Sequence, residues 1–289
     1  MDWNPFEPKE WRLAHGRSLT LGPKAVIAGI LNVTPDSFSD GGLFATASGA
    51  IEQGRRMAGE GAAIIDVGGE STKPGGVPIP VEEEQARALP VIEALVRDGQ
   101  ALISIDTYRA DTARKAIAAG AHIINDVWGL QREPAIARVA AETGAGLVAM
   151  HTGRGRDKHP DVIADQFAFL DRSVEIARAA GVSERQLILD PGFGFNKETA
   201  EENLLLMARV EELLRLGYPL MVGASRKRFI GTATGRPPLE RGAGTAATSV
   251  IMRLKGAALF RVHDVAINRD ALALTDAMLA ATAATGQRA

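Results

Sequence analysis

The chain has 289 residues, 46% hydrophobic and 24% charged, the make-up of a folded globule and not of a disordered chain. Thirty-three basic residues stand against 35 acidic ones, a net charge of −2, so no bulk charge draws the protein to nucleic acid or an anionic membrane. With no cysteine, disulfides, cysteine-ligated zinc, iron–sulfur clusters and thiol nucleophiles are excluded.

The opening Met1-Asp2-Trp3-Asn4-Pro5 lacks a basic stretch followed by an apolar core, so it does not read as a signal peptide. Apolar runs stop after a handful of residues, short of the ~18 needed to span a bilayer. The expectation is a cytoplasmic protein without membrane or nucleic-acid partners.

Short runs rich in Val, Ile, Leu and Ala predict strands at Ala25–Leu31, Ala63–Val67, Leu102–Ile105, His122–Asn125, Gly146–Met150, Leu187–Leu189, Leu220–Gly223 and Leu259–Val262. Continuous apolar runs suit parallel strands covered on both faces. Helical patterns lie between them. Leu89, Ile92 and Val96 follow an acidic first turn, Glu82-Glu83-Glu84, and precede Gly99. Leu206, Val210, Leu213 and Leu214 share a helical face, with Gly217 as the stop. Val265 to Ala284 predicts a final Ala-rich helix.

Eight strands recurring at about 33 residues match a chain of βαβ steps. The fold class is therefore α/β: a single (β/α)8 TIM barrel, with a doubly wound open sheet as the alternative. Residues 1–24 are expected to form an N-terminal extension capping the bottom of the barrel, and residues 25–289 the barrel domain itself.

In such barrels the C-terminal strand ends form the active site. Those ends carry Asn32, the Asp66 to Thr72 stretch, Asp106, Asn125, Asp126, His151, Asp190, Ser225 to Lys227, Arg261 and His263. A single Asp at a strand end is more often a helix cap than a functional group. Carboxylates interleaved with amides and cations around one rim are harder to explain that way. Asp106, Asn125 and Asp190 suit a flat heterocycle presenting several N–H donors. Arg226, Lys227, Arg261 and His263 follow the last two strands, where barrels often hold a phosphate, and Ser225 is placed to cap the helix there. Two segments, 34–42 and 68–76, mix Gly, Pro and Ser with charges, a composition for lids; Phe38 inside so polar a stretch supports that.

No phosphate-loop, H-E-x-x-H, G-x-S-x-G or complete dinucleotide motif is present. The five histidines are too scattered to propose zinc, and Trp3, Trp11 and Trp128 read as packing groups.

The run Gly29-Ile30-Leu31-Asn32-Val33-Thr34-Pro35-Asp36-Ser37-Phe38-Ser39-Asp40-Gly41-Gly42 resembles the signature first loop of the dihydropteroate synthase family. So do Gly68-Gly69-Glu70-Ser71-Thr72, Ser104-Ile105-Asp106-Thr107, Ile123-Ile124-Asn125-Asp126, Asp190-Pro191-Gly192-Phe193-Gly194, Ser225-Arg226-Lys227 and Arg261-Val262-His263, in family order across residues 25–265. The resemblance implies condensation of 7,8-dihydropterin-6-ylmethyl diphosphate with 4-aminobenzoate to give dihydropteroate and diphosphate, a step of folate synthesis. It implies that Asp106, Asn125, Asp190 and Lys227 hold the pterin and that Thr72, Arg261 and His263 hold the diphosphate. It further implies that Asn32 binds the accompanying Mg2+, and that Ser225 and the second loop seat the aminobenzoate, where sulfonamides compete. By the same resemblance both loops, with Asp36, Phe38, Lys73 and Pro74, fold over the site, and the chain is a homodimer. No covalent nucleophile is needed; Asn32, Lys227, Arg261 and His263 would act electrostatically on the departing anion.

Two alternatives stand beside it. A pterin-binding methyltransferase would not need the first-loop signature or the Arg-Val-His site, and a non-catalytic pterin-binding paralogue would bind without turnover. One departure from the family is Lys73, where Arg is usual after Ser-Thr; lysine keeps the charge but loses the bidentate fork. Asn196 is a lesser departure. Lys73→Arg is expected to keep or raise turnover of 4-aminobenzoate in a steady-state assay; a collapse would show a role specific to lysine.

Overall fold

The computed structural model describes residues 4–34, 47–71, 78–197 and 199–284. A short antiparallel hairpin comes first, β1 (Lys9–Arg12) and β2 (Ser18–Leu21), with Lys9 opposite Leu21. Eight strands then alternate with helices: β3 (Val26–Asn32), α1 (Ala47–Gly59), β4 (Ile64–Gly68), α2 (Val81–Asp98), β5 (Leu102–Asp106), α3 (Ala110–Ala118), β6 (Ile123–Asp126), α4 (Ala135–Thr143), β7 (Gly146–Met150) and α5 (Val162–Ala179). The series ends with β8 (Leu187–Asp190), α6 (Ala200–Arg209), β9 (Met221–Val222), α7 (Arg228–Thr234), α8 (Gly242–Leu254), β10 (Leu259–Val262) and α9 (Val265–Ala284).

All pairings among β3 to β10 are parallel, in the order β8-β7-β6-β5-β4-β3-β10-β9. A parallel bridge between Leu189 and Leu220 joins the two ends, so the sheet is a closed TIM barrel and not an open, doubly wound one. The predicted strands fall within a residue or so of those observed. The largest difference is at β9, expected over Leu220–Gly223. There the Leu220 carbonyl accepts from both Ala258 and Leu259, which leaves only Met221 and Val222 in regular pairing.

The helix expected through Leu214 breaks at Arg209, whose backbone leaves the helical region (φ −120°, ψ 10°), and continues as a 3-10 turn over Val210–Leu216. The Arg209 guanidinium binds Glu212 in that turn and Asp161 at the start of α5. Gly217, at φ 81°, ends the turn in the left-handed region as expected. No helix among the described residues is long and apolar enough to cross a membrane.

The apolar interior has two main clusters and a smaller one of Val127, Met150 and Phe195. One shell lies between the sheet and its helices. The other fills the barrel floor, where Val26, Ala28, Ile64, Ile123, Val148, Ile188, Met221 and Leu259 meet Trp11, Leu13 and Leu21 of the hairpin. Trp11 is 2% exposed, and its Nε1 donates to the Gln186 carbonyl at 2.7 Å. Gly146 makes this docking possible, because a Cβ there would lie 2.5 Å from Leu13 Cδ2 and 3.0 Å from the Trp11 ring. Replacing Trp11 with Ala should cost about 3–5 kcal/mol, read as a lower midpoint in denaturant; a change within error would show that the hairpin is ornamental to the floor.

Candidate active site

Side chains in a strand alternate faces, so a residue two positions beyond an inward apolar one also points inward, one layer higher. That step turns the apolar floor into a polar layer. Ile64 is followed by Asp66, Ile123 by Asn125, Ile188 by Asp190 and Leu259 by Arg261, while Ser104 leads to Asp106 and Ile30 to Asn32. Asp66, Asp106, Asn125 and Asp190 are each 2–4% exposed.

The layer is cross-linked. Arg261 Nε donates to Asp66 Oδ2 at 2.5 Å and its Nη2 to Asp106 Oδ2 at 2.7 Å. Asn125 Nδ2 donates to the same Asp66 oxygen at 3.0 Å. The other oxygens, Asp66 Oδ1, Asp106 Oδ1 and Asn125 Oδ1, are buried and accept nothing from the described residues. Asp190 lies next door: a Cβ placed on Gly223 would be 3.5 Å from Asp190 Oδ2 and 3.9 Å from Arg261 Cβ. A similar probe on Gly68 finds Asn32 Oδ1 at 3.5 Å and Asp106 Cβ at 3.6 Å. Lys227 Nζ sits 4.1 Å from the centre of the Phe195 ring.

Burial dominates the electrostatics. It raises Asp106 to about 7 against the pull of Arg261, with Asp66, Glu84 and Asp126 adding to the rise. It raises Asp190 to about 6 against the Gly192 N–H, Lys227, Arg261 and Lys197. Lys227 is lowered to about 8 by burial and by Arg261, so it remains mostly a cation at neutral pH. Burial works against the Arg261 charge, yet Asp66 and Asp106 outweigh it and hold the guanidinium above the ordinary arginine value.

Asn32, Asp106, Asn125, Asp190, Lys227 and Arg261 are thus brought together, as the strand ends led one to expect. Thr72, Asp36, Phe38, Lys73 and Pro74 lie outside the described residues. Ser225 and His263 meet each other: Ser225 Oγ is 2.9 Å from His263 Nδ1 and accepts from the His263 backbone N–H at 3.1 Å. Three expectations need correcting. Ser225 does not cap α7, whose N-cap is Lys227 without a side-chain bond, because the Ser225 hydroxyl is engaged by His263. Arg226 stays out of the cation set, since its guanidinium is paired with Asp264 at 2.7 Å. Arg261 does not stand on a separate cationic flank; it is inserted between two of the carboxylates.

Asp66, in the sequence one member of the Asp66 to Thr72 strand-end stretch, is central to the layer through its bonds to Arg261 and Asn125. Its signal was a carboxylate within an apolar strand, Ile64-Ile65-Asp66-Val67, on the same face as the floor residue Ile64. His151, read as a strand-end group, turns from the mouth to Asp165 and Lys197. Phe195 and Lys197 were not foreseen, because a loop after a strand has no period from which to read direction.

The geometry defines a barrel enzyme whose mouth offers buried acceptors to a flat N–H-rich ring and cations to an anionic group. Residues 28–263 match the family model described as "Pterin binding enzyme". The dihydropteroate synthase of Bacillus subtilis is 45% identical over 262 residues, covering 91% of each chain. The structure of the Xanthomonas albilineans dihydropteroate synthase with 4-aminobenzoic acid superposes with a TM-score of 0.88 at 43% identity, covering 94% of this chain and 99% of that one. That enzyme in complex with 7,8-dihydropteroate gives 0.84 at 42% identity, covering 93% and 99%. The chain belongs to the pterin-binding enzyme family and, within it, to the dihydropteroate synthases.

Because Asp190 is raised in the fold, the native state holds a proton that the unfolded chain has lost between about pH 4 and pH 6. Stability relative to an Asp190→Asn variant should therefore fall by roughly 3 kcal/mol across that window and level off above it. Paired denaturation curves at several pH values test this; a difference that grows with pH would reverse the assigned cause.

Proposed function

We propose that the chain condenses 7,8-dihydropterin-6-ylmethyl diphosphate with 4-aminobenzoate, giving 7,8-dihydropteroate and diphosphate. The observation that carries this reading is the set of three unpartnered buried oxygens, Asp66 Oδ1, Asp106 Oδ1 and Asn125 Oδ1, beside Asp190. Unpaired acceptors in a dry site cost about 1–3 kcal/mol each, a cost that a ring with several N–H donors removes and a ring without them does not. Asp190, Asp106, Asn125 and Lys227 are the pterin ligands in this reading.

As diphosphate leaves the pterin methylene, positive charge develops on the carbon and ring, and negative charge on the leaving oxygen. The carboxylates tolerate the first. Lys227, Arg261 and His263 stabilise the second without giving up a proton. Two of the five guanidinium N–H donors of Arg261 are committed to Asp66 and Asp106, and the others serve the anion. The amine of 4-aminobenzoate then attacks the methylene, seated by Ser225 and the second loop with Thr72 and Lys73.

Among the described residues no three His, Asp or Glu side chains are grouped to hold a metal. Mg2+ carried on a diphosphate needs only one or two oxygens from a protein, and Asn32 Oδ1, near Asp106, fits that need. Such a Mg2+ would neutralise charge on the departing diphosphate. A homodimer through α8 and α9 completes the proposal, supported by the exposed Ile251, Leu254, Ile267, Leu274 and Met278 on those helices.

Incubation with Mg2+, pterin diphosphate and labelled 4-aminobenzoate should release diphosphate in step with dihydropteroate. Pterin binding without turnover would favour the non-catalytic paralogue, and methyl transfer would favour the methyltransferase. Asp190→Ala should abolish pterin binding while the protein stays folded; normal binding by that variant would refute its role.

A further inference from the structure

Packed against the turn that carries Asp190 lies a second buried polar group. Lys197 is 4% exposed, and its Nζ donates to the Gly192 carbonyl at 2.8 Å and to His151 Nδ1 at 3.1 Å. His151 is 1% exposed; its Nδ1 faces Lys197, and its Nε2 lies 2.9 Å from both Asp165 Oδ2 and Arg156 Nη2. Asp165, on α5, also receives Arg156 and the His159 backbone N–H. Its neighbour Gln166, fully buried, donates to the Pro191 carbonyl at 3.0 Å.

These bonds converge on the turn that carries Asp190. The Pro191 carbonyl held by Gln166 belongs to the same peptide as the Gly192 N–H, which donates to Asp190 Oδ1 at 2.7 Å. Lys197 holds the next carbonyl along, and the His151 backbone N–H holds the carbonyl of Asp190 itself at 2.8 Å. The turn lies so close to His151 that a Cβ on Gly192 (φ +64°) would come within 2.0 Å of the His151 carbonyl oxygen. Three anchors thus fix three successive peptide groups, and the aim of one carboxylate follows from them.

We infer that Lys197 is a positioning residue for the pterin: with His151, Asp165 and Gln166 it holds the Asp190-Pro191-Gly192 turn and so aims the Asp190 carboxylate. The inference rests on Asp190 being a pterin acceptor, as proposed above. Around Lys197, Asp190, Glu202 and Asp165 favour its charge and Lys158 opposes it, while burial lowers it to about 7. Asp190 is faced by Lys227 and Arg261 as well as Lys197, and Lys197 is the one among them that sits behind the turn. Burial, foremost, and Lys197 keep His151 neutral, at about 3.

Steady-state kinetics of Lys197→Met, Lys197→Arg and Gln166→Met between about pH 5 and pH 9 test this. For Lys197→Met, KM for the pterin diphosphate should rise roughly tenfold to a hundredfold, while KM for 4-aminobenzoate stays within about twofold. The acid limb of kcat/KM for the pterin should move up, since Asp190 loses a nearby cation. Lys197→Arg should restore the limb, and Gln166→Met should raise the pterin KM without moving it. An unmoved limb in Lys197→Met, or equal rises in both KM values, overturns the inference. If Lys197→Met does not fold, the Gln166→Met and Lys197→Arg profiles decide it, and an unchanged pterin KM in Gln166→Met then counts against it. Loss of pterin binding in Asp190→Ala with unaltered Lys197→Met would sink only this inference, whereas normal binding in Asp190→Ala would sink the function beneath it.

Discussion

The site depends on one arrangement: a guanidinium held between two carboxylates at the centre of a closed sheet. Arg261 on β10 reaches Asp66 on β4 and Asp106 on β5, neighbouring strands across β3. Burying three ionisable groups carries a desolvation cost of several kcal/mol per ion, and the pairing recovers it only with short, well-aimed bonds. The bonds are short, at 2.5 and 2.7 Å, yet two acceptor oxygens of the pair of carboxylates are left over. That excess of acceptors over donors is what a ligand bearing N–H groups can satisfy. A more fully satisfied cluster would be more stable and would have nothing to offer a substrate.

The surrounding structure keeps this cluster dry and aimed. Below it, apolar floor residues pack with Trp11, Leu13 and Leu21 of the hairpin. Beside it, further buried ion pairs hold the loop stems. Arg109 at the start of α3 donates to Glu84 on α2 at 2.7 Å and lies in ion-pair contact with Glu70 at the same distance. It also donates to the Ile79 carbonyl. Glu70 and Ile79 stand before and after residues 72–77, so one guanidinium binds the chain on both sides of that stretch. Glu84 also accepts from Thr107 and Thr112, which fixes the chain just beyond Asp106. The residues that touch substrate are few, and many more are spent on holding them still.

A row of alternating cations and rings runs along the rim from Arg109 through Tyr108, Arg132, Trp128, Arg154 and Phe195 to Lys227. In the sequence Trp128 reads as a packing group, and it is one; what it packs is arginine. Stacking on a ring leaves guanidinium edges free to bind elsewhere, as Arg109 does with Glu84 and Glu70, so the rings hold these cations in place while their N–H edges serve other partners.

Eight apolar runs alternating with helical patterns were enough to read the barrel, because a parallel strand covered on both faces needs little besides hydrophobic residues, and each run ends where the polar rim begins. The acceptor residues were legible for the same reason: Asp106, Asn125 and Asp190 are the last inward positions of their strands, and strand direction carries them to one mouth. Spacing along the chain says nothing, however, about which neighbour a long side chain will choose. Arg226 turned to Asp264, Ser225 to His263, His151 to Lys197 and Arg261 into the carboxylates, each choice made between groups 38 to 195 residues apart only by the closure of the sheet. Periodicity and residue type determine where polar groups emerge; the pairing among them is set by distances that exist only once β8 and β9 have met.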